Sequence, residues 1–232
     1  MLPKMESDDA KIPPEYREIF SYLCGEILRI KEKLREYRQL FPDSEQQVKL
    51  LNEAGPFLFH LIQQLFYDDL ILSLSRLLDP AQSPDSITKA KMPNMTFSRL
   101  VEMLKSTNPT LASNLAVRVN QMKKDAEPIQ KYHRNKRVGH NDYATAVAEI
   151  DLLPPVQLDL IEQAIASDEA FLSEFHCAYT GRETSFEIFN HDDGAIILLD
   201  RLFKARAYDD LAKKRMIPVD YHGTLAKQEG FI

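Results

Sequence analysis

Glycine and cysteine are both scarce in this chain. The sequence has 7 glycines in 232 residues, less than half of the usual share of ~7%. Few glycines mean few positions with positive φ and few tight turns, which favours long helices over many short strands. The two cysteines, Cys24 and Cys177, are far apart and form no C-x-x-C pair. Their number and spacing indicate a reducing compartment rather than a disulfide scaffold.

The sequence also lacks a long uninterrupted apolar run. Its richest apolar region, GPFLFHLIQQLFYDDLILSLSRLL, is broken by Asp68 and Asp69 and never reaches the ~18 clean apolar residues of a membrane span. The first residues, MLPKMESDDAKIPPEY, lack the apolar core of a signal peptide. We therefore predict a soluble, cytoplasmic protein without a membrane partner.

Several chemistries have no motif here. No G-x-x-x-x-G-K or G-x-G-x-x-G loop is present to hold a phosphate, and no Glu-x-x-His pair suggests a di-iron bundle. His133 and His140 lie seven residues apart, but two histidines without a matching carboxylate are weak support for a metal site. The sequence thus predicts neither a metal nor a cofactor.

Apolar residues recur at spacings of three and four along most of the chain, which is typical of helices. One long helix is predicted from Pro14 to about residue 41, and a second from about 44 to 78 with a kink at Gly55-Pro56. Residues 80–94 are predicted as a loop, followed by a short helix capped by Asn94 or Thr96. A further helix is predicted from about residue 110, and another over about 156–177. The last helix is predicted to begin after a cap at Asp192 or Asp193, and the segment before it is predicted to be irregular or to contain a short strand.

These elements predict an all-α bundle of five to six helices with Pro-rich joints. A chain of this length can bury one sizeable core without a second domain. We expect a flexible lead-in at residues 1–13, a single domain at 14–215 and a C-terminal tail at 216–232.

Positive charge is concentrated in one stretch of an otherwise acidic chain. Residues 118–140 contain seven basic and two acidic residues, a local charge of +5 in a chain of net charge -6. Such a reversal of sign suits a polyanion, and the planar arginine fork binds two phosphate oxygens at once. A solvated helix face explains the charge alone equally well.

Within this stretch, Arg134 is followed after five residues by His140, in the string RNKRVGHND (134–142). The spacing resembles the signature of the HEPN superfamily (higher eukaryotes and prokaryotes nucleotide-binding), and the polar Asn135 follows the arginine as is common there. With YDDLILSLSRLLDP (67–80), the string resembles the AbiU-like (abortive infection U) branch. Arg215 and His222 form a second match by spacing, but in a tail without helical pattern.

The resemblance implies a HEPN-like bundle and a metal-independent endoribonuclease with RNA as its substrate. His140 would transfer the proton, since imidazole titrates near neutral pH, and Arg134 would stabilise the phosphorane charge. Asn135 would orient the reacting groups. The RNA-binding residues would be Lys131, His133, Lys136 and Arg137. A toxin or abortive-infection role, with an antitoxin protein as a further partner, is part of this expectation.

Helical geometry also predicts that the protein is a homodimer. Residues 134 and 140 differ by 240° on an ideal helix, at ~100° per residue, so Arg134 and His140 of one chain point in different directions. The family solution is a composite site at a dimer interface, where Gly139 would allow close backbone approach.

A polar stripe in the second string has two interpretations. Asp69, Ser73, Arg76 and Asp79 fall on one side of a helix, while Leu70, Leu74 and Leu77 face the other way. Asp69 and Arg76 would then form a structural ion pair. Alternatively, the stripe lies beside the Arg134–His140 segment and positions its arginine or the RNA.

Two other classes of function remain open. A non-catalytic HEPN protein that binds RNA or nucleotide would need Arg134, Lys136 and Arg137 but would tolerate His140→Gln. An all-α dimer that scaffolds a protein partner would tolerate both changes and depend on an apolar surface patch.

Overall fold

The computed structural model describes residues 10–41, 44–85, 87–129, 158–188 and 194–216. Within these ranges the chain forms seven helices and one small antiparallel sheet. The predicted all-α fold is confirmed. The elements are α1 (Pro14–Leu40), α2 (Glu45–Ala54), α3 (Pro56–Leu77), β1 (Gln82–Pro84), β2 (Lys91–Pro93), α4 (Phe97–Leu104), α5 (Pro109–Asp125), α6 (Leu158–Thr180) and α7 (Ala195–Lys213).

Helix α1 follows its apolar spacing closely. Its apolar residues at spacings of three and four are buried, namely Phe20, Leu23, Ile27, Ile30, Leu34 and Tyr37, and Leu23 and Ile30 are completely covered. Phe41, which continues this spacing, lies beyond the helix and is partly covered. The helix ends at Leu40, two residues before Pro42, since a residue before proline disfavours the helical conformation. Burial also continues before the helix, because Ile12 belongs to the same core cluster.

The second predicted helix is two helices rather than one kinked helix. Gly55 forms the C-cap of α2, and its N–H donates to the carbonyl oxygen of Leu51. Pro56 is the first residue of α3, the position where a missing N–H costs nothing. The two residues therefore end one helix and begin the next.

The predicted loop at 80–94 contains a short hairpin. Strands β1 and β2 pair with Ser83 opposite Met92. Between them, an Asp85 carboxylate oxygen accepts hydrogen bonds from the N–H groups of Ile87 and Thr88, at 3.0 and 2.7 Å. An aspartate that turns the chain onto itself in this way supports a tight connection, which the prediction overlooked.

Helices α4 and α5 begin at side-chain caps. Thr96 accepts a hydrogen bond from the N–H of Arg99, which decides between the two predicted caps. Asn108 accepts one from the N–H of Leu111, and Pro109 opens α5. Each cap satisfies one of the N–H groups that a helix leaves unpaired at its start.

Helix α6 extends three residues beyond its predicted end. Its apolar spacing predicts Leu160, Ile161, Ala164, Phe171 and Phe175 as the buried side; Ile161, Phe171 and Phe175 are buried, whereas Leu160 and Ala164 are only partly covered. Residues 181–188, which follow the helix, contain no strand.

The predicted cap of the last helix is wrong. Gly194 occupies the N-cap of α7 and provides no side chain for capping. The carboxylate of Glu36 fills that role from the end of α1, because its Oε2 accepts a hydrogen bond of 2.8 Å from the N–H of Ala195. Asp192 and Asp193 lie outside the described residues.

The chain divides into two compact units. The bundle unit comprises the described residues up to 35 and from 64 to 188, and its core joins α1, the second part of α3, α4, α5 and α6. The small unit comprises 36–63 and the described residues from 194 onward, with a core of Leu40, Leu51, Phe59 and Ala195. No helix in the described ranges is long and apolar enough to cross a membrane.

Candidate functional site

The Arg134–His140 motif falls between the described ranges. Helix α5 ends at Asp125, the described chain continues to Ile129, and α6 begins at Leu158. The structure therefore describes what precedes and follows the motif. The predicted residues outside it are Lys131, His133, Arg134, Asn135, Lys136, Arg137 and His140.

The basic stretch begins on α5, where two of its cations are already engaged. The Arg118 guanidinium lies 2.8 Å from the Glu174 carboxylate of α6. The Lys123 ammonium donates a 3.0 Å hydrogen bond to the Ser98 hydroxyl of α4. Because Glu174 offsets the charge of Arg118, the +5 of the sequence overstates the field near α5. The greater part of the excess charge belongs to residues 130–140.

The polar stripe of α3 is organised differently from its prediction. Asp69 pairs with Lys33 of α1, with 2.5 Å between the ammonium and the carboxylate. This contact replaces the predicted pair between Asp69 and Arg76. Arg76 is exposed, Asp79 is partly covered and Ser73 is buried. The stripe is therefore interrupted, and Arg76 is its exposed cation.

A buried acid on α6 was missed by the sequence reasoning. Asp168 is almost completely buried and lines a cavity of about 10 Å³ between α3, α5 and α6, at the lower limit for one water molecule. Burial, and secondarily the negative charge of Glu169, raises the pKa of Asp168 well above its ordinary range. A signal was present in the sequence, because residue 168 lies on the same helical face as Ile161 and Phe171.

A wider cleft of about 640 Å³ lies between α1, α6 and residues 184–188. The Lys31 ammonium crosses it, contacting the Glu169 carboxylate and the carbonyl oxygen of Phe186. Glu187 adds a second carboxylate to the lining. Among the described lining residues the one cation is already paired, so this part of the cleft does not suit a phosphate.

Metal ligation has no candidate in the described ranges, which bring together no group of three or more histidine, cysteine or acidic side chains. His133 and His140 lie outside the described residues.

Comparison with known proteins adds one match. A HEPN family model described as AbiU2 matches residues 13–196. The matched region covers most of the chain and includes both RNKRVGHND and YDDLILSLSRLLDP. A search of curated proteins and a search of solved structures returned no match.

Proposed function

Because the chain belongs to the AbiU2 family of HEPN proteins, we propose that it is a metal-independent endoribonuclease with an abortive-infection or toxin role. The carrying observation is that the family match includes Arg134, Asn135 and His140 with the spacing of the HEPN signature. The all-α fold fits this family. RNA is the substrate, and an antitoxin protein is a second partner.

The proposed reaction needs no group from outside the protein and its substrate. The 2′-hydroxyl of a ribose attacks the adjacent phosphorus and loses its proton, while the P–O bond to the next nucleotide breaks and the leaving 5′-oxygen gains a proton. The products are a 2′,3′-cyclic phosphate and a 5′-hydroxyl. His140 carries the proton, since its imidazole exchanges protons near pH 7.

Arg134 stabilises the negative charge that develops on the phosphorane oxygens, and it stays protonated throughout. Asn135 orients the reacting groups by a hydrogen bond. Lys131, His133, Lys136 and Arg137 hold the RNA, so the binding affinity decreases as salt rises.

A homodimer completes the proposed site. Arg134 and His140 differ by 240° on an ideal helix, at ~100° per residue, so that one chain's pair does not converge on one phosphate. Two copies of the motif brought together across a two-fold axis provide both groups.

The decisive experiment treats the purified protein with single-stranded and structured RNAs, with and without EDTA. We expect cleavage in both conditions. His140→Ala should lower the rate by about 10²–10⁴ while RNA affinity changes little, and Arg134→Ala should lower both. His222→Ala is the matched control, since it removes the histidine of the second spacing match.

The outcomes separate the alternatives. Loss of cleavage in EDTA overturns the metal-independent mechanism. Intact RNA together with salt-dependent binding makes the protein an RNA-binding module instead. If RNA is neither cleaved nor bound, the scaffold function is favoured. If His222→Ala lowers the cleavage rate as much as His140→Ala does, the assignment of His140 as the proton carrier is wrong.

A further inference from the structure

The first turns of α3 carry an uncovered apolar face. The exposed fractions are 79% for Phe57, 56% for Leu58, 41% for Leu61 and 59% for Leu65. Residues at these spacings lie side by side on one face of a helix. Phe59, on the opposite side, is buried in the core of the small unit. This segment is therefore apolar on two sides, and the described residues cover only one of them.

We propose that this face, hereafter the α3 face (Phe57, Leu58, Leu61 and Leu65), is a contact between two copies of the chain. This proposal rests on the homodimer proposed above, but it does not depend on RNA cleavage.

The area of the α3 face matches such a contact. Its four residues leave the equivalent of somewhat more than two whole residues exposed, or at most roughly 470 Å² if each is given the ~200 Å² of an aromatic side chain. A standard interface covers ~800 Å² on each partner, of which somewhat more than half is apolar. The α3 face alone therefore approaches the apolar share of a standard interface. A patch of this size on a monomer is often a binding surface.

The charge pattern favours a second copy as the partner. A two-fold axis sets the same surface of both copies against itself, so a charged centre would repel its own copy. No Asp, Glu, Lys or Arg occurs from Pro56 to Phe66, although the chain as a whole carries a net charge of -6. A contact with a partner of opposite charge would gain from charged residues here. Self-association favours their absence.

The position of Leu61 makes this contact testable. Leu61 lies midway between Phe57 and Leu65 on the helix, so in an antiparallel pairing of two α3 faces it meets Leu61 of the other copy, while Phe57 meets Leu65. A charge at residue 61 would thus be set against the same charge, and a mixture of opposite charges would attract.

The experiment compares Leu61→Asp, Leu61→Lys and an equimolar mixture of both by analytical ultracentrifugation. The wild-type protein should sediment at twice its chain mass of 26.7 kDa. Each variant alone should dissociate, with a dimer dissociation constant raised at least about tenfold, as expected for like charges at an interface centre. The mixture should dimerise again.

Phe203→Asp is the matched control, because Phe203 is an exposed aromatic residue on α7, 54% exposed, outside the α3 face. It should remain dimeric. The double variant Phe57→Ala/Leu65→Ala removes apolar area without adding charge and should also weaken the dimer, which keeps the test informative if a charged variant folds poorly. Circular dichroism compares the fold of all variants.

The proposal is overturned by a monomeric wild-type protein, by Leu61→Asp and Leu61→Lys variants that stay dimeric, by a mixture that stays monomeric, or by equal dissociation of Phe203→Asp. The outcome of the RNA assay is independent of the outcome of this dimerisation test. If the Leu61 variants behave as expected but the wild-type protein does not cleave RNA, the α3 contact is supported and the ribonuclease proposal is wrong. Active protein whose Leu61 variants remain dimeric has its dimer contact elsewhere.

Discussion

The guanidinium of Arg118 and the carboxylate of Glu174 join α5 to α6 at 2.8 Å, on the two described helices between which the motif region lies in the sequence. This pairing separates two kinds of positive charge that the sequence presents as one stretch. Arg118 serves the contact between two helices, whereas Lys136 and Arg137 belong to the proposed RNA-binding set.

Charge removal at these positions should therefore have different effects on RNA binding. Arg118→Gln should change RNA affinity less than about twofold, because its guanidinium is held by Glu174 rather than by a phosphate. Arg137→Gln should weaken binding and reduce the dependence of log K on log[salt] by about 0.7, the contribution of one phosphate contact on a single strand. Fluorescence anisotropy titrations at several salt concentrations measure both quantities. A larger loss in Arg118→Gln than in Arg137→Gln would place the RNA on α5 itself.

The polar stripe of α3 provides a second comparison. Asp69 is held by Lys33, while Arg76 is exposed. If the stripe lies near the RNA, Arg76→Gln should weaken RNA binding severalfold as one phosphate contact is lost, and Asp69→Asn should leave it nearly unchanged. The same anisotropy titration tests this, with the ion pair's small stability effect followed by urea unfolding. If the RNA affinity of both variants equals that of the wild-type protein, the polar stripe has only a structural role.

The sequence predicted most helices because their signals are local. The spacing of apolar residues located α1, Thr96 was one of the two caps expected for α4, and α5 begins at Pro109, one residue from its predicted start. The partners of charged side chains were not predictable in this way. One interpretation paired Asp69 with Arg76 on the same face of its own helix, yet Asp69 pairs with Lys33 of another helix.

Long-range contacts explain the other differences. Glu36 caps α7 from 159 residues away, so no pattern near the helix could indicate it. Asp168 lies within an apolar face, but only packing shows that it is buried. Phe57 and Leu65 have the same spacing as core residues, and the sequence alone does not distinguish a covered face from an exposed one.

Gly194 should tolerate substitution less well than Gly181. Both have positive φ, 74° and 75°, and such sparsely populated backbone conformations cost a residue with a side chain about 1–3 kcal/mol. Gly194 has in addition a ψ of −131°, outside the left-handed helical region. A Cβ at Gly181 would meet open space, whereas one at Gly194 would lie 2.3 Å from Oε2 of Glu36. Gly194→Ala should therefore also displace the carboxylate that caps Ala195, adding about 1 kcal/mol of destabilisation.

Urea unfolding of Gly194→Ala and Gly181→Ala measures this difference in free energy, and hydrogen exchange at the start of α7 localises it. Glu36→Gln, which weakens the acceptor without adding a Cβ, should increase exchange at the same amides. Equal destabilisation by the two alanine variants would show that Glu36 moves aside at no cost and that its cap contributes little.

Asp168 should make the folded protein less stable as pH rises. Burial raises the pKa of its carboxyl in the folded state, so the unfolded chain releases this proton at a lower pH than the folded chain does. Between the two pKa values the folded state binds more protons, and the free energy of unfolding falls with pH by at most ~1.4 kcal/mol per pH unit. Below the pKa of the unfolded chain this loss disappears.

Asp168→Asn should remove that dependence, because the amide has the same shape and does not ionise. Its stability relative to the wild-type protein should increase from pH 4 to pH 8 in urea unfolding experiments. Asp159→Asn, at an exposed aspartate of the same helix, is the control and should show a difference from wild type that stays constant over this range. If the Asp168→Asn difference is also constant, the carboxyl ionises in the folded protein as it does in the unfolded chain. The small cavity beside it then admits enough water to solvate the charge.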